Sequence, residues 1–205
     1  MLHQAKHHNI PGIELAVQRA DFAQVVADEL ALVDKLRVEK YEQLLDGLQN
    51  VILIEDKTTF SSPQSVIVKG QTLSADKFII AAGSTATIPN IEGLSETGFI
   101  THIEALKLQK LPAELIVIGA GPLGLEMAQI YARFGSKVTI LQRAESIMPS
   151  AEKVLTDQLQ KILTGEGITV KTSVRVTRAH KDGDKKAVSY TDGSGEQTLR
   201  GDEIL

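Results

Sequence analysis

A glycine-rich turn constrains the fold of this chain more than any other feature of its sequence. Residues 119–124 are Gly-Ala-Gly-Pro-Leu-Gly and match the spacing G-x-G-x-x-G. An aliphatic run at 115–118 precedes the turn, and apolar residues at helical spacing follow it as far as Phe134. A second aliphatic run occupies 138–141. This order predicts a strand, a tight turn, a helix and a second strand within about 30 residues.

Each glycine of the turn has a physical role in binding a dinucleotide. Gly119 permits the tight turn, Gly121 lets the backbone approach a pyrophosphate, and Gly124 lets the helix pack close to the strand. Pro122 suits the first helical position because an N–H there would have no intrahelical partner. The N–H groups and positive dipole end of the helix attract phosphates. We therefore predict dinucleotide binding here, against the alternative of a strand-to-helix turn without a ligand.

The residues that follow the second strand predict which dinucleotide is bound. Sites for NAD usually carry Asp or Glu about 20 residues beyond the glycine turn, where the carboxylate bonds the ribose 2′-hydroxyl. This chain has Gln142 and Arg143 at that place. An arginine can form paired hydrogen bonds with a 2′-phosphate, so the pattern favours NADPH. The alternative is that Arg143 is a solvated surface residue and that Glu145 contacts the ribose.

The N-terminal part of the chain predicts one long helix followed by short strands. Asp21 is a suitable N-cap, and apolar residues at helical spacing predict a helix over roughly 22–46 that ends at Gly47. Three β-type runs predict a small antiparallel meander that leads into a buried strand, Phe78–Ala81; the runs are 51–54, 65–68 and 77–81. Residues 84–112 predict a connector with a short helix near 102–108.

The residues after the glycine turn complete an α/β fold. A helix is predicted over about 151–164, and a strand over 168–170. Turn pairs at Asp182-Gly183 and Asp192-Gly193 predict a three-stranded β-meander that ends near residue 199. We therefore predict the α/β class, with a Rossmann-like βαβ unit that carries an antiparallel β-meander.

Composition excludes several classes of function. The net charge of −4 argues against a general nucleic-acid binder, which usually presents a basic face. No apolar run approaches the ~20 residues that span a bilayer, so we expect no membrane partner. The 205 residues include no cysteine, which excludes disulfides and cysteine nucleophiles within the chain and fits a cytoplasmic location. His3 and His7 lack a third ligand, and we expect a solvated cluster without metal.

Three stretches resemble one enzyme family. The segment Leu115–Pro149 resembles the pyridine-nucleotide domain of the FAD-dependent disulfide oxidoreductases, a family that includes dihydrolipoamide dehydrogenase, glutathione reductase and mercuric reductase. Residues 75–84 with 88–93 are similar to the strand and "ATG" motif that lies against FAD in that family. Residues 36–41 and 132–139 look closest to the mercuric reductases. The resemblance covers essentially the whole chain, and it implies the second half of an FAD-binding domain over 1–110 and an NAD(P)-binding domain over 111–205.

The resemblance also implies roles for individual residues toward the pyridine nucleotide. Glu126 matches a catalytic glutamate beside the nicotinamide and flavin. Arg143 matches the residue that meets the 2′-phosphate, with Gln142 beside it, and Val174 matches a backbone contact to adenine. The pyrophosphate would be lined by Gly119, Gly121, Pro122, Leu123 and Gly124.

The FAD-like part is incomplete by the same comparison. Ala82, Gly83 and Ser84 would approach FAD, but the family's flavin-binding glycine turn and redox cysteine pair lie upstream of this chain, and its dimerisation domain lies beyond Leu205. Pro149 stands where many NADPH-using members have a second phosphate-binding arginine.

The resemblance therefore implies a fragment of a flavin-dependent NAD(P)H oxidoreductase, which would pass hydride from NADPH to FAD and on to a disulfide or other substrate. We expect the fragment to be inactive alone. We also expect it to self-associate through exposed apolar surface, and the full-length protein to be a homodimer. The alternative is a stand-alone dinucleotide-binding or regulatory module without redox chemistry.

Overall fold

The computed structural model describes Ala5 and residues 11–205, so the histidines His3 and His7 lie outside the described residues. The chain divides into two compact units, one made of Met1–Glu29 with Ile88–Leu205 and the other of Leu30–Thr87. This division does not coincide with the boundary at residue 110 between the two expected cofactor domains, and that boundary stays a prediction.

A four-stranded parallel sheet forms the centre of the larger unit. Its strands lie in the order β10 (Glu203–Ile204), β4 (Glu114–Ile118), β5 (Lys137–Leu141) and β6 (Thr169–Lys171), and every neighbouring pair is parallel. The glycine turn connects β4 to helix α5 (Pro122–Phe134), as the sequence predicts. The elements of this part are α3 (Leu94–Thr97), α4 (His102–Ala105), β4 (Glu114–Ile118), α5 (Pro122–Phe134), β5 (Lys137–Leu141), α6 (Lys153–Gly165), β6 (Thr169–Lys171) and β10 (Glu203–Ile204).

The predicted β-meander forms a second, antiparallel sheet in the larger unit. Its strands are β7 (Arg175–Asp182), β8 (Lys185–Asp192) and β9 (Gly195–Gly201). Turns at Gly183 and at Asp192-Gly193 connect them, so the prediction is confirmed. Lys185 of β8 ties this sheet to the parallel one: its Nζ lies 3.3 Å from a carboxylate oxygen of Glu114 and 2.5 Å from one of Asp202.

Alternating residues of β4 supply the two halves of the core. Leu115 and Val117 pack with residues of α5 such as Met127 and Tyr131. Ile116 lies on the opposite face and packs with residues of the β-meander. This near-continuous aliphatic strand is buried on both faces, as is typical of a parallel sheet covered by helices on one side and a second layer on the other.

The N-terminal helix begins and ends where the sequence predicts. It consists of α1 (Phe22–Arg37), a π-helical turn (Val38–Glu42) and α2 (Gln43–Asp46). Asp21 caps the start, since its Oδ1 accepts a hydrogen bond from the backbone N–H of Gln24 at 3.1 Å.

The smaller unit has one of the predicted strands but not the other two. A three-stranded antiparallel sheet consists of β1 (Thr59–Ser62), β2 (Ser65–Val68) and β3 (Gln71–Ser74). The runs 51–54 and 77–81 are irregular, and the prediction of a buried strand at Phe78–Ala81 is wrong: Ile79 is 95% exposed and Ile80 is 75% exposed. A β-type run needs a neighbour for its backbone hydrogen bonds, and no described strand pairs with either segment.

Candidate functional site

The glycine turn has the geometry that its sequence predicts. Gly119 has a φ of +105°, a conformation that glycine adopts without steric cost. Its N–H donates to the carbonyl oxygen of Leu141 at 2.9 Å, which joins the turn to the end of β5. Gly121 then caps α5 with extended backbone, and Pro122 is the first helical residue. The chain thus turns sharply from β4 into α5 at the carboxyl edge of the sheet.

The second and third glycines differ in what surrounds them. A Cβ atom on Gly124 would lie 2.5 Å from the carbonyl oxygen of Gly119, so only glycine permits this close packing. A Cβ atom on Gly121 would meet no protein atom within 4 Å. Glycine at 121 is therefore not required by packing within the described residues, and the open space beside it is where a ligand's pyrophosphate could approach the backbone.

The N-terminus of α5 is open to solvent. Gly121, Pro122 and Leu123 are exposed, and no side chain of a described residue caps the helix. The first-turn N–H groups of Leu123 and Gly124 therefore point out of the helix without a capping partner. Together with the helix dipole they favour a bound anion.

Gln142 does not face solvent, although its place in the sequence predicts a contact with the ribose. The residue is 8% exposed. Its Oε1 accepts a hydrogen bond from the N–H of Ala120 at 3.3 Å, and its Nε2 donates to the carbonyl oxygen of Ser146 at 3.1 Å. Its side chain thus joins the glycine turn to the loop after β5.

Arg143 and Glu145 are both exposed, on either side of a partly buried Ala144. The Arg143 guanidinium makes no hydrogen bond or ion pair with another described residue, so it is available to an anion. Val174 is buried against the β-meander, and its N–H donates to the carbonyl oxygen of Gln142 at 3.1 Å. The chain segment around Val174 therefore lies directly beside the loop that carries Arg143.

Glu126 lies in the second turn of α5 and is exposed. Its carboxylate makes no hydrogen bond or ion pair with another described residue. The predicted role beside the nicotinamide stays a prediction.

The residues expected to approach FAD belong to the smaller unit. Ala82, Gly83 and Ser84 are exposed in an irregular segment, and Gly83 has a φ of +68° with open space around an added Cβ. The sequence contains a single G-x-G-x-x-G turn, and that turn lies in the larger unit. The approach of these three residues to FAD stays a prediction.

Two interactions that sequence reasoning missed fix the far end of α5. Glu166 accepts hydrogen bonds from Arg133 Nε at 2.9 Å and from Gln129 Nε2 at 2.9 Å, and its hydrogen bond holds the pKa of Arg133 above its ordinary value. The hydroxyl of Tyr131 donates to the carbonyl oxygen of Ala105 at 2.7 Å, and burial raises the pKa of Tyr131 to about 12. Nothing in the local sequence indicates these partners, which are 26 to 37 residues apart.

A cavity of about 190 Å³ lies beside the middle of α5 and is separate from the candidate site. Its lining is almost entirely apolar and includes Phe22, Val26, Met127 and Tyr131. None of the predicted cofactor residues lines it.

Within the described part of the chain, no group of three or more His, Cys, Asp or Glu residues could hold a metal, and no helix has the length and apolar character needed to cross a membrane.

Comparison with known proteins agrees with this geometry. The family model described as pyridine nucleotide-disulphide oxidoreductase matches residues 3–205. Mercuric reductase of Bacillus cereus is 32% identical over 203 residues, and the match covers 99% of this chain and 32% of that relative. Mercuric reductase of Shewanella putrefaciens is 34% identical over 207 residues, and the match covers 98% of this chain and 36% of that relative. The HOCl-induced flavoprotein disulfide reductase RclA from Escherichia coli has a similar structure, with a TM-score of 0.83 and 26% identity over 100% of this chain and 44% of that one. This chain thus spans about a third of the length of the curated relatives it matches.

Proposed function

Because this chain belongs to the pyridine nucleotide-disulphide oxidoreductase family, we propose that it supplies the NADPH-binding part of a flavin-dependent oxidoreductase. The observation that carries the proposal is the open space at Gly121. Packing explains the glycine at 124 but not the one at 121. A bound pyrophosphate accounts for the second glycine, since a side chain there would keep the phosphates away from the backbone.

The preference for NADPH rests on the charges at the end of β5. Arg143 offers an exposed guanidinium that is not paired with any other described residue, which suits a 2′-phosphate. Gln142 is neutral, so no carboxylate of that residue repels the phosphate. Glu145 is exposed as well, and its carboxylate could accept a hydrogen bond from the ribose 2′-hydroxyl of NADH. We therefore propose NADPH as the preferred nucleotide and NADH as the weaker ligand.

Glu126 is the proposed catalytic residue, because it lies on the helix that starts at the glycine turn and its exposed carboxylate is not paired with any residue that the structure describes. A flavin, when bound, supplies the hydride-accepting chemistry. The cysteine-free chain contributes binding and orientation of the pyridine nucleotide and no thiol chemistry. A cytoplasmic location, a homodimeric full-length protein and inactivity of this chain alone are parts of the same proposal.

Calorimetric titration of Gly121→Ala with NADPH tests the proposal. The added methyl meets no atom of the described residues within 4 Å, so we expect the variant to fold, with at most the small loss of stability that alanine causes at a helix N-cap. We expect its affinity for NADPH to fall by about tenfold or more, because the methyl occupies the space that the phosphates need. Gly193→Ala is the matched control, since it also has open space and lies in the turn between β8 and β9. Wild-type affinity in Gly121→Ala would show that the turn has no ligand.

The colour of the purified protein is a second test. One flavin-contacting segment is too little to retain FAD, so we expect colourless protein that still binds NADPH. Bound flavin absorbance in stoichiometric amount would overturn this expectation. A third outcome would favour a stand-alone binding module. In that case the protein would bind the nucleotide but would not support reduction of any acceptor, even after flavin and the remaining domains were supplied.

A further inference from the structure

The side chain of Gln142 holds the backbone of the glycine turn in place. Ala120, the residue between Gly119 and Gly121, is fully buried. Its N–H donates to Gln142 Oε1 at 3.3 Å, and its carbonyl oxygen accepts from the N–H of Met148 at 2.9 Å. Both polar groups of the turn's central residue are thus satisfied by the segment that follows β5.

At neutral pH the amide of Gln142 supplies the acceptor and the donor that its two side-chain contacts require. The N–H of Ala120 can only donate and the carbonyl of Ser146 can only accept, so the side chain needs one acceptor and one donor. A glutamate would satisfy Ala120 but would place a charged oxygen against the Ser146 carbonyl. A methionine of similar length would satisfy neither and would leave a buried N–H unpaired, which is costly.

The backbone of Gln142 is also fixed. Its N–H donates to the carbonyl oxygen of Lys171 at 2.8 Å, and its own carbonyl oxygen accepts from the N–H of Val174 at 3.1 Å. The side chain therefore starts from a rigid position between β5 and β6, and it points into the protein. In this conformation both polar atoms of the side chain are already paired within the protein, and they connect the turn to the segment after β5.

We propose that Gln142 is a positioning residue for the glycine turn and makes no contact with the ribose. It sets the affinity for NADPH and NADH alike, and the choice between them belongs to Arg143. The inference rests on the proposed nucleotide binding, and it reassigns a residue whose place in the sequence predicts a cofactor contact. The amide also explains why a neutral residue stands where a carboxylate is usual: its second hydrogen bond requires a donor.

Titration of Gln142→Met with NADPH and NADH tests the inference, with Gln158→Met on the exposed face of α6 as control. We expect both affinities to fall by about tenfold, as for an unpaired buried N–H, while their ratio stays within about twofold. The Ala120 amide should also lose protection from hydrogen exchange. A changed ratio would show that Gln142 contacts the ribose, and unchanged affinities would show that it has no role. If wild-type protein binds neither nucleotide, the proposed function fails instead.

Gln142→Glu provides a second test that does not depend on the methionine variant folding. At neutral pH the charged carboxylate loses the bond to Ser146. A protonated carboxyl has one donor and one acceptor, as the amide does. We therefore expect the affinity of this variant for NADH to approach that of wild type as the pH is lowered toward the ordinary carboxyl range. An affinity deficit that does not change with pH relative to wild type would contradict the inference.

Discussion

The carbonyl oxygen of Gly119 lies where a Cβ atom on Gly124 would approach it to 2.5 Å. Real Cβ atoms do not come so close to a backbone oxygen, and neither partner can yield cheaply. The oxygen belongs to a turn that is fixed by the bond between Gly119 N–H and Leu141, and Gly124 lies in the first turn of α5. This contact sets how close the helix packs to β4.

Gly124→Ala should consequently destabilise the larger unit. Overpacking of this kind typically costs about 1–3 kcal/mol in the free energy of unfolding, which chemical denaturation can measure. Gly165→Ala at the end of α6 is the matched control, since an added methyl there meets nothing within 4 Å. The control should be neutral or slightly stabilising, by up to about 1 kcal/mol. Equal stabilities for the two variants would mean that α5 can shift away from β4 without cost.

Arg143→Glu should move the nucleotide preference from NADPH toward NADH. The carboxylate would repel a 2′-phosphate and could accept a hydrogen bond from a 2′-hydroxyl. We expect the ratio of the two affinities to change by about tenfold or more, given what charge-assisted hydrogen bonds contribute.

Calorimetry with both nucleotides measures the shift, and Lys161→Glu on the exposed surface of α6 controls for the change in net charge. An unchanged ratio in Arg143→Glu would identify Arg143 as an ordinary surface residue. It would leave Glu145 as the group that meets the ribose.

Local sequence signals predicted the part of the site that local geometry decides. The strand, the glycine turn and α5 are contiguous in the chain, so the positive φ of Gly119 and the close packing at Gly124 could be predicted from local sequence. The direction of the Gln142 side chain could not be predicted in this way. Its partners Ala120 and Ser146 come from two different segments, and residue type alone does not say whether an amide points inward or toward a ligand.

The same limit explains the error in the smaller unit. Aliphatic composition at 51–54 and 77–81 indicates β-propensity, but a strand also requires a neighbour with free backbone groups. Lys185 shows the converse case. It contacts Glu114 and Asp202, which lie 71 and 17 positions away in the chain, and no sequence spacing predicts these contacts.

The cluster of Lys185, Glu114 and Asp202 predicts how the free energy of unfolding depends on pH. The hydrogen bond from Lys185, followed by the N–H of Glu114, holds the pKa of Asp202 below its ordinary value. A carboxyl whose pKa is lower in the folded state stabilises the fold above its unfolded pKa of about 4, and this stabilisation is lost as the pH falls through the folded pKa. Asp202→Asn should reduce the free energy of unfolding at pH 7 by about 1 kcal/mol.

The same variant should lose less stability than wild type between pH 7 and pH 3, because it lacks the titrating group. Denaturation curves at a series of pH values measure both effects. Asp157→Asn is the control, since its ion pair with Lys153 is exposed and should contribute little. Parallel pH profiles for wild type and Asp202→Asn would show that the cluster does not contribute to acid sensitivity.

The exposed apolar segments of the smaller unit predict concentration-dependent self-association. Ile52 is 87% exposed and Ile79 is 95% exposed, each in an irregular segment of β-type composition. Burial of apolar surface is favourable by roughly 25 cal/mol per Å², so contact between a few hundred Å² on two copies would outweigh several kcal/mol of ordering cost.

The double variant Ile79→Lys, Ile80→Lys should shift sedimentation profiles toward the monomer. Leu155→Lys, an exposed leucine of α6 in the larger unit, should leave them unchanged. Hydrogen exchange on diluted protein should show weaker protection in 30–87 than in 111–205. Concentration-independent sedimentation of the wild type, with equal protection of both regions, would show that these segments need no partner.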